Sequence, residues 1–157
     1  MVRAMRPLIH FAYRLRAWVY RTLQLRSRGV KVMLFNAAGE VLLVRHTYVN
    51  PNLFLLPGGG VGRRETPEAA AAREVREELG IGVRDLALMS EHFSGAEGKR
   101  DTLHLFRAIA DGVPKPDGFE VREARFFPLD ALPGNVSPAT RRRIAEYRGQ
   151  RQADGGW

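Results

Sequence analysis

The chain has 157 residues, enough for one domain with a sizeable core, and its 45% hydrophobic and 27% charged residues are the balance of a globular protein, which excludes wholesale disorder. It contains no cysteine, so disulfides and thiolate metal sites are excluded and a reducing compartment is expected. The formal net charge of +8 is unevenly placed: Arg3, Arg6, Arg14, Arg16, Arg21, Arg26, Arg28 and Lys31 precede the first acidic residue, Glu40, while the rest of the chain carries 17 of the 25 cations against all 17 anions.

The first predicted element is a helix. From Pro7 to Leu25, Leu8, Phe11, Ala12, Leu15, Trp18, Val19 and Leu23 recur at three- and four-residue steps and form one apolar face, with His10, Arg14, Arg21 and Gln24 opposite. Only seven residues separate Arg6 from Arg14, and Arg16 and Arg21 follow, so neither a secretory signal nor a transmembrane span is expected. This basic amphipathic helix is expected to pack on its own domain or on a second copy as a homodimer, or else to lie on an anionic membrane surface. Nucleic acid is disfavoured because no reader motif accompanies the charge. The localisation expected is cytoplasmic, peripheral at the inner face of a membrane under the second reading.

Beyond Gly29 the pattern becomes β-rich. The runs GVKVMLFN and EVLLVRHTY flank Ala37-Ala38-Gly39 and predict a hairpin, and LFLLP is a short strand ended by Pro57 and followed by Gly58-Gly59-Gly60. Thr66 as N-cap, Pro67 at the first position and Gly80 just past the end predict a helix reaching Leu79. Strands follow near Val83 to Met89, Thr102 to Ala110 and Ala124 to Phe127, a last helix opens at Ser137-Pro138 and reaches Tyr147, and residues 151–157 are expected to fray. The domain organisation is thus an extension over 1–28, one domain over 29–150 and a tail.

The chemistry is concentrated in GGGVGRRETPEAAAAREVREELGI, residues 58–81. With about 100° of turn per residue, Ala72, Val75 and Leu79 share the face expected to pack on a sheet, and Glu74, Glu77 and Glu78 fall opposite within an arc of about 100°. A solvated acidic face is the bland alternative. Against it, Glu74 and Glu78 are like charges four residues apart, which costs a few tenths of a kcal/mol unless a cation lies between them. Clustered hard oxygen ligands suit a divalent ion such as Mg²⁺, and Arg73 and Arg76 could orient the carboxylates. The glycine run lets backbone approach a ligand closely.

These residues resemble the Nudix box of the Nudix hydrolases, G-x5-E-x7-R-E-U-x-E-E-x-G-U with U a bulky aliphatic. Here it reads Gly59, Glu65, then Arg73-Glu74-Val75-Arg76-Glu77-Glu78-Leu79-Gly80-Ile81, without departure. The approach LLPGGGV and the later EVREARFFPLDALP are also similar to the family. Leu53, Phe54 and Phe126 stand where many members carry Trp nearby.

The resemblance implies a Nudix fold, an α/β/α sandwich around a central mixed β-sheet, and hydrolysis of a pyrophosphate bond in a nucleoside diphosphate derivative, with ADP-ribose or a nucleotide sugar favoured. Nucleoside triphosphates, capped RNA and a non-catalytic nucleotide-binding module are the alternatives, the last opposed by the intact carboxylate set. It further implies Mg²⁺, or Mn²⁺ in its place, held by Glu74, Glu77, Glu78 and the Gly59 carbonyl. Catalytic roles fall to Arg73, Glu77, Glu78 and the later carboxylate Glu120, with Glu123 a second candidate, and structural roles to Glu65 and Gly80. For substrate contacts the candidates are Arg45, His46 and Tyr48 at a strand end, and Phe93 and Arg100 in the polar loop FSGAEGKR.

Overall fold

The structure is a computed structural model and describes residues 27–94 and 101–157. The amphipathic segment 7–25 and Arg100 lie outside the described residues. Among the described residues no helix is long and apolar enough to cross a membrane.

Five strands form one mixed sheet: β1 (Ser27–Phe35), β2 (Val41–His46), β3 (Gly82–Ser94), β4 (Asp101–Asp111) and β5 (Val121–Phe127), in the order β3-β4-β1-β2-β5. β1 and β4 pair in parallel at the centre, and the remaining pairs are antiparallel. Two helices, α1 (Pro67–Leu79) and α2 (Pro138–Tyr147), cover the sheet.

Alternation along the strands decides which face each residue joins. Val30, Val32 and Leu34 of β1, Leu42 and Val44 of β2 and Phe106 and Ala108 of β4 pack with Ala70, Ala71, Val75 and Leu79 of α1. Met33, Phe35, Val41 and Leu43 point the other way and join Phe54, Leu56 and Ile144 of α2. The result is the expected sandwich, with one helix per face.

Both helices are capped as predicted. Thr66 Oγ1 accepts the Ala69 N–H at 3.2 Å, Gly80 closes α1 at φ 66°, and Ser137 Oγ accepts the Thr140 N–H at 3.2 Å. Such a cap contributes about 1 kcal/mol.

The hairpin departs from expectation in a way that builds the site. β1 and β2 share only the pair Phe35↔Val41 before they separate. Residues 55–61 fill the split as a wedge. Val44 and Leu55 exchange both backbone hydrogen bonds at 2.9 Å, Val32 N–H donates to Pro57 O and Val30 N–H to Gly59 O, each at 2.9 Å, and Val61 N–H donates to Arg28 O. The run read as a strand ended by Pro57 is therefore a bent segment held by both neighbours.

Strands β3 and β5 begin earlier or run longer than predicted, and β3 accommodates irregular register between Arg84 and Ala87 and between Leu88 and Ser90. Residues 151–157 do not fray as expected. Phe93 N–H donates to Gly155 O at 2.9 Å and Trp157 N–H returns to Phe93 O at 3.3 Å, while the Arg143 guanidinium donates to Gly156 O at 2.6 Å. The Trp157 ring packs on Arg143 and His92. The anchor is Arg143 of α2, fully buried, whose Nη1 and Nη2 find acceptors in the tail and in Glu146 while its Nε is left without a partner.

Candidate active site

The wedge brings the glycine run against α1. Gly58 sits at φ 139°, and a Cβ there would lie 2.2 Å from Val30 O, so the close approach to β1 requires glycine. Its N–H donates to Glu78 Oε2 at 3.1 Å. Gly59 faces Glu74: a Cβ on Gly59 would meet all three atoms of that carboxyl group at 2.5 Å.

Arg73 organises the outer rim. Its Nε donates to Glu65 Oε1 at 2.8 Å and its Nη2 to Glu65 Oε2 at 3.0 Å and Gly60 O at 2.8 Å, while Nη1 reaches Glu74 Oε1 at 2.8 Å and Glu77 Oε2 at 3.0 Å. Glu65 also accepts the Gly62 N–H at 2.8 Å. These bonds hold the Glu65 carboxyl down at about 2, and raise the basicity of Arg73. Glu65 therefore fixes Arg73, and Arg73 aims two carboxylates and ties the glycine loop to the helix.

Glu78 corrects the helical-wheel expectation. The wheel puts it on the face opposite the packed side, yet only 3% of it is exposed, because the wedge and His46 cover it. Desolvation raises its pKa to about 7 despite the opposing Lys31 charge and the Gly58 N–H. Desolvation raises Glu74 as well, against the Arg73 hydrogen bond. Ala72, expected on the packed face, is only half-buried, and the packed positions are Ala70, Ala71, Val75 and Leu79.

Of the candidate substrate contacts, His46 reaches the cluster. Its Nε2 lies 3.9 Å from Glu78 Oε1, and burial together with Lys31 lowers its pKa to about 4, so the ring is neutral at pH 7. Tyr48 follows, half-buried, on the next loop. Arg45 is held on the sheet, with Nε donating to Glu123 Oε2 at 2.8 Å and its guanidinium 5.3 Å from the Phe54 ring centre. That pairing also gives Glu123 its partner. Phe93 is 66% exposed on the edge strand β3, where its backbone binds the tail.

Glu120, exposed at the end of the loop before β5, is near enough for its charge to bear on both Glu74 and Glu78. Its backbone carbonyl accepts the Thr47 N–H at 2.8 Å.

Two participants escaped the sequence reading. Lys31 is largely buried beneath the wedge, donating from Nζ to Leu56 O at 3.0 Å, and burial lowers its pKa against the pull of Glu78 and Glu74. A lysine inside the apolar run VKVMLF was the available signal. Asp117 accepts three backbone N–H groups in the loop before β5, and the local run Pro116-Asp117-Gly118 was the available signal.

The donor set suits a hard divalent cation. Glu74 and Glu78 are carboxylates taken out of water, and their raised proton affinity is the mark of anionic oxygens short of positive charge. Among the described residues no three acidic or histidine side chains already converge on one point, since the Arg73 guanidinium lies between Glu74 and Glu77.

A family model described as the NUDIX domain matches residues 25–147. The chain belongs to the Nudix family. An uncharacterised Nudix hydrolase of Pseudomonas aeruginosa is 39% identical over 107 residues, covering 64% of this chain and 62% of that one. An RNA pyrophosphohydrolase of Rhodospirillum rubrum is 42% identical over 64 residues, 41% of this chain and 37% of its own. The chain therefore spans less than two thirds of the length of these relatives. Among solved structures, a MutT Nudix hydrolase from Burkholderia pseudomallei superposes with a TM-score of 0.67 at 27% identity, over 76% of this chain and 96% of that one. A MutT protein from Methanosarcina mazei Go1 shares the fold at a TM-score of 0.64 and 24% identity, over 81% and 96%.

Proposed function

We propose that this Nudix chain hydrolyses a pyrophosphate bond in a nucleoside diphosphate derivative, with Mg²⁺, or Mn²⁺ in its place, held by Glu74, Glu77, Glu78 and the Gly59 carbonyl. The observation that carries the reading is the pair of desolvated carboxylates, Glu74 and Glu78, each set against a glycine of the wedge. Bound divalent cations neutralise the diphosphate and make water more acidic. The protein supplies the positioning. Arg73 aims Glu74 and Glu77, the Gly58 N–H aims Glu78, and Glu65 locks Arg73.

Glu120, whose charge bears on Glu74 and Glu78, takes a proton from the attacking water as its oxygen bonds to phosphorus. The P–O bridge then breaks and the second phosphoryl group leaves with the bridging oxygen. Neutral His46 lines the inner wall beside Glu78.

ADP-ribose or a nucleotide sugar is the first substrate reading. A 5′-phosphorylated or capped RNA is the second, favoured by the names of two relatives: the RNA pyrophosphohydrolase and an NAD-capped RNA hydrolase of Pseudomonas aeruginosa, 32% identical over 65% of this chain and 36% of its own. Segment 7–25 is assigned a location or assembly role, on an anionic membrane or on a second copy.

The test is phosphate or nucleotide release from ADP-ribose, UDP-glucose, dGTP and 5′-triphosphorylated RNA, with and without Mg²⁺. Glu78→Gln is expected to lower kcat by about 10²-fold or more on whichever compound is turned over. Turnover indifferent to both metal and this substitution would refute the reading.

A further inference from the structure

The loop from Gly112 to Glu120 is fastened to the C-terminal end of α1. Lys115 N–H donates to Leu79 O at 2.8 Å and Asp117 N–H to Glu78 O at 3.2 Å, so two carbonyls that a helix end leaves unsatisfied are taken up by this loop. At its other end Glu120 O accepts from Thr47 of the segment after β2. Between these moorings the chain turns sharply, with Gly118 at φ 72° and its N–H donating to Val121 O at 2.9 Å.

One side-chain atom reinforces this turn. Asp117 Oδ1 accepts the N–H groups of Phe119 at 2.9 Å, Glu120 at 3.0 Å and Val121 at 2.9 Å. Asp117 is exposed, so this is not a core contact, and its backbone is bonded to the same Glu78 whose side chain lies in the carboxylate cluster.

We infer that Asp117 is a positioning residue for hydrolysis: its carboxylate fixes the backbone of Glu120 relative to α1 and so holds the Glu120 carboxylate within reach of the site that Glu74 and Glu78 line. The inference rests on the proposed role of Glu120 in taking the proton from water. It differs from a stabilising role in what it predicts. A side chain that only braced the loop would change the melting temperature, whereas one that aims a proton acceptor changes kcat and leaves substrate binding alone.

The experiment compares wild type, Asp117→Ala, Asp117→Asn, Glu120→Gln and the double variant Asp117→Ala/Glu120→Gln, with Glu78→Gln as control, on the best substrate of the four-compound panel in Mg²⁺. Asp117→Ala is expected to lower kcat by about 10²-fold with KM within about twofold, as displacement of a reacting group by about 1 Å does. Asp117→Asn keeps an Oδ1 acceptor and should retain kcat within about threefold. The double variant should be no slower than Glu120→Gln alone, because both changes remove one function.

Should Asp117→Ala not fold, Asp117→Gln replaces it. Its acceptor stands one methylene too far out to meet all three N–H groups, and the same loss is expected. An unimpaired kcat in either variant, or losses that multiply in the double variant, overturns the inference while Glu78→Gln remains inactive. A wild type no faster than Glu78→Gln overturns the hydrolase reading and this role with it.

Discussion

Glu78 is the residue on which folding and chemistry conflict most directly. Its carboxyl is nearly sealed from water, and burial pushes its pKa up to about 7 from an ordinary 4.5. Between these values the folded state holds a proton that the unfolded chain has released, so stability falls as pH rises from about 4.5 to about 7, by at most ~3 kcal/mol. Thermal melts of the metal-free protein should show this decline, and Glu78→Gln should flatten it. Mg²⁺ favours the ionised form, so its stabilising effect should be larger at pH 8 than at pH 5. A metal effect independent of pH would contradict the assignment of Glu78 as a ligand.

Among the elements, the wedge makes two adjacent glycines indispensable for different reasons. At Gly58 a Cβ would strike the backbone of Val30 at 2.2 Å with φ at 139°, and backbone cannot step aside. At Gly59 the obstacle is the end of the Glu74 side chain, which can swing away. Gly58→Ala is therefore expected to destabilise the fold by several kcal/mol, and Gly59→Ala to melt within a few degrees of wild type yet lose most activity because Glu74 is displaced. Melting curves and turnover of the two variants, measured together, separate the cases. Equal melting temperatures would refute the distinction.

The same element shows where reading the sequence succeeds and stops. The ends of α1 were legible because Thr66, Pro67 and Gly80 act on their own neighbours. The clustering of Glu74, Glu77 and Glu78 was legible because helical geometry is fixed at about 100° per residue. Burial of Glu78 was not, since a helical wheel contains no wedge. Neither was the reach of Lys31 to Leu56 O, nor the fastening of the Asp117 loop to the end of α1, because both depend on segments brought together only by the fold. The docked tail was misread for a related reason: Arg143 lies in a helix whose sequence TRRRIAEY gives no sign which arginine is inside.

For the whole molecule, the charge partition separates the Nudix core from the residues before β1. Six of the 25 cations and none of the 17 anions lie in residues 1–26, so most of the +8 precedes the core, which is itself close to neutral. Each Arg near an anionic lipid surface contributes about 1 kcal/mol, so the full chain should co-sediment with phosphatidylserine-containing vesicles and not with phosphatidylcholine vesicles, and deletion of residues 1–25, which leaves β1 intact, should abolish this. If neither form binds vesicles and the deletion turns a dimer into monomers, self-association is the role of that segment.

The central parallel pair joins residues 74 positions apart, Ser27 to Asp101, and the wedge hangs from the same strand β1. Closing so long a loop costs chain entropy, and non-local pairing of this kind slows folding. The glycine carbonyls and the carboxylate helix therefore acquire their mutual geometry only when distant parts of the chain have met. Residues 58–81 carry the complete signature in sequence but could not hold its shape as a fragment, because Val30 and Val32, which grip the wedge, enter from outside it. The site is as cooperative as the fold, and it should form and dissolve with it.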